Sequence, residues 1–291
     1  MTQREIRSKV KYGEDKFTEV DGYVLHYVEV GKGYPVILIP GSFSTYRVWN
    51  RIIPPLSERY RLLALDYLGT GDSDKPTKGF KYTIEEQADL IANMIRTFNI
   101  GKVHLIGASY GGAIVLNLVV RYPELVSKIV SIEGGVVIPE NMPQSPMEYL
   151  LRYPIIGDLV IAFTKTNFMT GLLIKLIAGK WYPHMTSDDK NEMKEQLRHN
   201  GKSSSRIAWY QISISNKTTK PFAGAAKSLT LPVLYLYGTE SDFKKSILEP
   251  NLEFFKAFLP KIKIVGLEGG IHDLELQKPK ELADLILDFF A

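Results

Sequence analysis

Apolar and polar residues alternate in "YVLHYVEV" (23–30), which predicts a strand with one face on a core. "PVILI" (35–39) is a continuous apolar run, as in a strand covered on both faces. Further strands are expected at "RLLALD" (61–66), "KVHLIG" (102–107), "VSKIVSIEG" (126–134), "PVLYLYG" (232–238) and "KIKIVGL" (261–267). Helices fall between them. One covers about 46–57 and ends near the Pro54–Pro55 pair or just beyond it. One covers 83–100, with Thr83 and Glu86 in capping-box spacing, and one covers 111–123, stopped by Pro123. Two more lie near 246–258 and 278–290. From about 138 to 226 there are no strand runs, only helical and aromatic-rich segments. One of these is "TSDDKNEMKEQLRHN" (186–200), acidic first and basic late, as a helix dipole favours.

Strands alternating with helices predict an α/β fold, a mostly parallel sheet with helices on both faces. Residues 1–137 and 227–291 are expected to form the core, with 138–226 as a helical cap inserted over the C-terminal edge of the sheet. Ligands bind at that edge in open α/β sheets, so the insertion reads as a lid.

The composition narrows the function classes. The chain has 291 residues, 45% of them hydrophobic and 23% charged, a normal globular balance. The 36 basic and 32 acidic residues leave a net charge of +4, with no basic stripe interleaved with aromatics, so nucleic acid is not an expected partner. There is no cysteine, which excludes disulfides, thiolate metal sites and a cysteine nucleophile and fits a cytoplasmic location. The N-terminus has no apolar h-region and does not read as a signal peptide. Asp158, Lys165 and Lys175 interrupt the apolar stretch 153–179, so no stable membrane span is expected. No cofactor or metal is expected, and the oligomeric state is left open.

The chemistry gathers around "GASYG" (107–111), a G-x-S-x-G between a strand and a helix. That context turns a common motif into a candidate nucleophile. Ser109 would stand on a strained turn, Gly107 and Gly111 would keep Cβ atoms out of crowded positions, and the N–H of Tyr110 would point at an oxyanion. Of the five histidines, His26 and His104 sit in strands and read as structural, while His184 and His199 lie in the insertion. His272, in the Gly-rich loop before the last helix, is the candidate base. Asp242, after the strand 232–238, is the preferred acid, with Glu133 at the end of 126–134 as the alternative and Glu240 a weaker third. The second oxyanion donor would be the N–H of Ser42, in the loop after 35–39. Candidate pocket residues are Phe43, Phe163, Phe168, Trp181 and Trp209.

The loop "PGSFSTYRVW" (40–49), "DYLGTGDSDKP" (66–76), "GASYGG" (107–112), "GTESD" (238–242) and "GGIHDLELQKP" (269–279) stand in an order that resembles the α/β-hydrolase superfamily along nearly the whole chain. The resemblance implies Ser109 as nucleophile, His272 as base, and Ser42 and Tyr110 as oxyanion donors. Residues 46–76 and 127–135 are most similar to the haloalkane dehalogenase and epoxide hydrolase branch. That branch uses an aspartate nucleophile, and its dehalogenases hold halide with asparagine and tryptophan. The matching positions here are Ser109, Ser42 and Tyr110. Some members take the acid from the Glu133 position. Pro40 replaces a histidine common in relatives and fixes φ in the donor loop.

A serine alkoxide attacks acyl carbon, so the expected activity is hydrolysis of small to medium uncharged acyl or aryl esters through an acyl-serine. Alternatives on the same triad are C–C bond hydrolysis, lactone or thioester hydrolysis and perhydrolysis. A receptor that kept the fold without turnover is the alternative from another class.

Overall fold

The computed structural model describes residues 12–42, 44–136, 146–164, 166–200, 206, 208, 210–212, 229–259 and 261–291. Eight strands form one sheet: β1 (Glu14–Val20), β2 (Tyr23–Val30), β3 (Tyr34–Ile39), β4 (Tyr60–Asp66), β5 (Val103–Ala108), β6 (Val126–Ile132), β7 (Val233–Gly238) and β8 (Ile262–Leu267). Their order is β1-β2-β4-β3-β5-β6-β7-β8. β1 and β2 pair antiparallel with their neighbours, and every pair from β4–β3 to β7–β8 is parallel.

The apolar runs explain the layering. In β3, Ile37 and Ile39 join one buried cluster, and Val36 and Leu38 join the cluster on the opposite face. All four are 0% exposed. Burying each such side chain contributes about 1.5–3 kcal/mol, which commits β3 to the middle of the sheet. Helices α2 (Ile84–Phe98) and α3 (Tyr110–Arg121) cover one face. Helix α1 (Ile53–Ser57) and the 3-10 turn Tyr46–Trp49 cover the other.

The expected helix over 46–57 divides into that turn and α1. The proline pair stands in the first turn of α1, where a proline forfeits no intrahelical hydrogen bond, and the helix ends just beyond it at Ser57. At α2, Thr83 Oγ1 accepts the N–H of Glu86 at 3.1 Å. The Glu86 carboxylate reaches the N–H of Lys81 at 2.5 Å instead of closing a box on Thr83. Strand β1 has no counterpart among the expected elements. It is an edge strand whose residues are mostly exposed or half-buried, so its sequence carries no apolar run.

Between β6 and β7 the described residues are mainly helical. They form α4 (Pro146–Leu151), α5 (Pro154–Thr164), α6 (Asn167–Ala178), the 3-10 segment Gly179–His184 and α7 (Ser187–Asn200). Among the described residues no single helix is long and apolar enough to cross a membrane. After β7, a π turn (Lys244–Leu248) leads into α8 (Glu249–Phe258). After β8 come α9 (Leu274–Gln277) and α10 (Pro279–Phe290).

Candidate active site

Ser109 sits between β5 and α3 with φ 51° and ψ −114°. A non-glycine residue at positive φ stores of order 1–3 kcal/mol unless its surroundings fix it. Here the surroundings are backbone. The Ser109 N–H donates to the Ile132 carbonyl at 2.7 Å, and its own carbonyl accepts the N–H of Ala113 at 3.1 Å. The neighbouring glycines are dictated by space. A Cβ on Gly107 would stand 2.3 Å from the Gly111 carbonyl oxygen. One on Gly111 would stand 2.2 Å from the Ile39 oxygen, and one on Gly112 would stand 2.7 Å from the Cα of Gly134.

The loop after β3 closes on the same serine. A Cβ on Gly41 would lie 3.3 Å from Ser109 Cβ and 3.9 Å from its Oγ. Tyr67 Oη donates to the Gly41 carbonyl at 3.1 Å, and Asp66 Oδ1 accepts the N–H of Tyr46 at 2.8 Å at the far end of the loop. Asp66 Oδ2 also meets His26 Nδ1 at 2.7 Å, so His26 has a structural place away from the serine. His104 has one too, stacked on Phe290 with ring centroids 4.4 Å apart.

His272 lies in the loop between β8 and α9. Gln277 staples this loop: its Oε1 accepts the Ile271 N–H at 2.7 Å and its Nε2 donates to the Gly269 carbonyl at 3.1 Å. His272 Nδ1 is 2.5 Å from Glu133 Oε2. Glu133, 5% exposed and at φ 48°, receives two more donors: the Gly238 N–H on Oε1 and the Ser241 hydroxyl on Oε2, each at 2.7 Å. The Phe243 ring packs edge-on against the imidazole at 4.7 Å. Burial pulls the His272 pKa down. The hydrogen bond and charge of Glu133, aided by Asp273 and Glu275, more than offset it and carry the imidazole up to about 9.

The carboxylate that meets the imidazole is Glu133, the alternative acid, and not the preferred Asp242. Glu133 directly follows β6, which pairs Ile132 with Ala108, the residue before Ser109. Asp242 lies beyond the end of β7 and is exposed. Its carboxyl reaches toward Gly179, 3.2 Å from where a Cβ there would stand. The end of β7 and the loop after it contribute the Gly238 N–H and the Ser241 hydroxyl instead, residues that the sequence offered only as part of "GTESD". Glu240 pairs with Lys180 at the surface.

Ser42, Ser109, Tyr110, Glu133 and His272 line one cavity of about 590 Å³. Its apolar wall comes from Leu176, Ile177, Met193 and Leu197 of α6 and α7, and from Ile247 and Leu248. Of the aromatic residues expected there, Phe163, Phe168 and Trp181 are not part of this wall. Phe163 and Phe168 face outward, 50% and 75% exposed. Trp181 packs beside the core cluster that contains Ile174 and Ala178. Phe43 and Trp209 lie outside the described residues. Helices α5 and α6 are apolar nearly all round, so their sequence did not say which face turns inward.

Residues 34–244 match the family model described as alpha/beta hydrolase fold. The chain is 25% identical to a soluble epoxide hydrolase of Corynebacterium sp. (strain C12), covering 94% of this chain and 95% of that one. It is 36% identical to the 2-hydroxy-6-oxo-6-(2'-aminophenyl)hexa-2,4-dienoic acid hydrolase of Metapseudomonas resinovorans over 53% of this chain and 54% of that one. The crystal structure of the enol-lactonase from Burkholderia xenovorans LB400 superposes with a TM-score of 0.79 at 17% identity, covering 94% of this chain and 99% of that one. The chain belongs to the α/β-hydrolase fold family and is a hydrolase by that membership.

Proposed function

We propose that the protein is a carboxylic-ester hydrolase working through an acyl-serine intermediate. Ser109 is the nucleophile, His272 the base, Glu133 the acid, and the N–H groups of Ser42 and Tyr110 the oxyanion donors. The observation that carries this reading is the Glu133–His272 hydrogen bond lining one cavity with a serine at positive φ.

With Nδ1–H given to Glu133, His272 presents Nε2 to take the proton of Ser109 Oγ as it attacks the acyl carbon. Tyr110 opens α3, where a backbone N–H at the helix start can turn toward a developing oxyanion. The protonated imidazole then hands its proton to the leaving alkoxide. In the second half it activates water against the acyl-serine. Glu133 stabilises the imidazolium in both halves. The apolar wall from α6, α7 and Leu248 suits a small to medium acyl or aryl group, with α6 and α7 acting as the lid.

Epoxide opening in the branch this chain resembles uses a carboxylate nucleophile, which Ser109 does not supply. Carbon–carbon hydrolysis is the second reading. It is favoured by the Metapseudomonas relative and needs the same serine, base and oxyanion donors. Release of p-nitrophenol from p-nitrophenyl butanoate, lost in Ser109→Ala, supports the ester reading. Cleavage of a vinylogous diketone with no turnover of any ester overturns it in favour of the second.

A further inference from the structure

The cavity also holds acids that the ester chemistry does not use. Asp273 and Glu275 follow His272 in the chain and line the cavity together with Glu133 and Asp242. Among the described residues that line it there is no lysine or arginine, and the imidazole of His272 is already paired with Glu133. Glu275 is 4% exposed, and its Oε2 has no hydrogen-bond partner. Buried polar atoms in folded proteins are nearly always partnered, so an orphan lining a cavity points to a ligand group that completes it. The titration of these groups agrees. Burial and the charge of Asp273 push Glu275 up to about 8. Burial also raises Asp273, with Glu133 adding to it against the opposing pull of His272. These are the marks of buried carboxyls that His272, already paired with Glu133, only partly compensates.

We propose that Asp273 and Glu275 form a subsite for a protonated primary amine, and that the preferred ester carries such a group at the end remote from the reacting carbonyl. A primary ammonium supplies both the missing charge and N–H donors for Glu275 Oε2, whereas a quaternary ammonium supplies only the charge. As the ammonium enters, Glu275 releases its proton and the ion pair forms in a partly desolvated site, where it is stronger than at the surface. The apolar wall still holds the methylene chain between the two ends. The inference rests on the ester-hydrolase reading and replaces the uncharged ester expected from the sequence.

The test compares isosteres at pH 7: ethyl 6-aminohexanoate with ethyl heptanoate, and ethyl 3-aminopropanoate with ethyl butanoate. The two lengths sample the reach from Ser109 to the acids. For at least one length the wild-type kcat/KM is expected to favour the amino ester by about tenfold or more, equivalent to one modest ion pair. Glu275→Gln and Asp273→Asn each bring that ratio toward one, whatever their absolute rates. Calorimetric titration of Ser109→Ala with the same pairs reads the subsite without turnover, and a preference for the amine is expected there too. A wild-type ratio at or below one for both lengths, a ratio that survives both substitutions, or no amine preference in Ser109→Ala overturns the subsite. Hydrolysis of heptanoate alongside any of these leaves the ester reading standing. Amine preference in Ser109→Ala with no ester turned over by the wild type fails the ester reading and keeps the subsite.

Discussion

Glu133 Oε2 stands 2.5 Å from Nδ1 of His272, although the two residues are 139 positions apart in the chain. The contact exists because β6 lies beside β5, so the residue after β6 arrives next to the turn at Ser109. Glu133 is also held by the Gly238 N–H and the Ser241 hydroxyl, which fix its carboxylate before any substrate binds. Glu133→Gln is expected to lower kcat by roughly 10⁴, as loss of the orienting acid does in comparable triads. Asp242→Asn should change it only slightly. Steady-state rates of the two variants side by side check this, and the opposite ranking returns the acid role to Asp242.

The raised His272 pKa sets a pH dependence. The base must be neutral to take the serine proton, so kcat/KM should climb with pH through an inflection near 9. Removing the Glu133 charge removes the main cause of the rise, so residual activity in Glu133→Gln should inflect at lower pH. The same shift links to stability. The folded pKa lies above the ordinary histidine value, so the pair contributes stability below about pH 6.5 and loses it as pH rises through about 9. Denaturant melts across that window check the sign.

The strain at Ser109 should be separable from its chemistry. Ser109→Gly relieves a φ of 51° and is expected to stabilise by about 1 kcal/mol net of glycine's backbone entropy, while activity disappears. Ser109→Ala keeps the strain and should melt close to the wild type. Thermal melts of the two variants together make the comparison.

Gly111→Ala puts a methyl 2.2 Å from the Ile39 oxygen and 2.5 Å from the Pro40 oxygen, both backbone atoms that cannot swing away. It is expected to cost about 3 kcal/mol or more and to distort the Ser109 turn and the loop after β3 together. A soluble variant with wild-type melting would contradict the packing described for the turn.

Gln277→Leu removes both hydrogen bonds that staple the His272 loop. Loosening a base by a fraction of an ångström costs up to about 10²-fold in rate, so kcat should fall with KM little changed. Loss of the pH inflection together with kcat would mean the loop had collapsed rather than loosened.

Much of this molecule is legible in its sequence because buried parallel strands announce themselves. The runs at β3, β4, β5 and β7 mark the middle of the sheet, and "GASYG" spans the turn from β5 into α3. Strand β1 was not legible, since an edge strand with polar faces leaves no apolar signature. The choice between Glu133 and Asp242 was not legible either. Both follow a strand between the serine and the histidine, and only the pairing of β6 with β5 brings one of them to the imidazole. The wall of the cavity was hidden for a different reason. Phe163 and Leu176 stand on helices apolar on every side, and the sequence does not say which side meets the core. Glu275 gave no signal beyond its place three residues after His272. Its meaning lies in its burial and its unpartnered oxygen.

Ester hydrolysis through an acyl-serine puts a covalent acyl group on Ser109 during turnover. The direct measurement is the intact mass of the protein quenched during turnover of p-nitrophenyl butanoate, followed by peptide mapping. One butanoyl adduct is expected on the peptide containing Ser109, present in the wild type and absent in Ser109→Ala. Turnover without any adduct on Ser109, or an adduct that persists in Ser109→Ala, would contradict it.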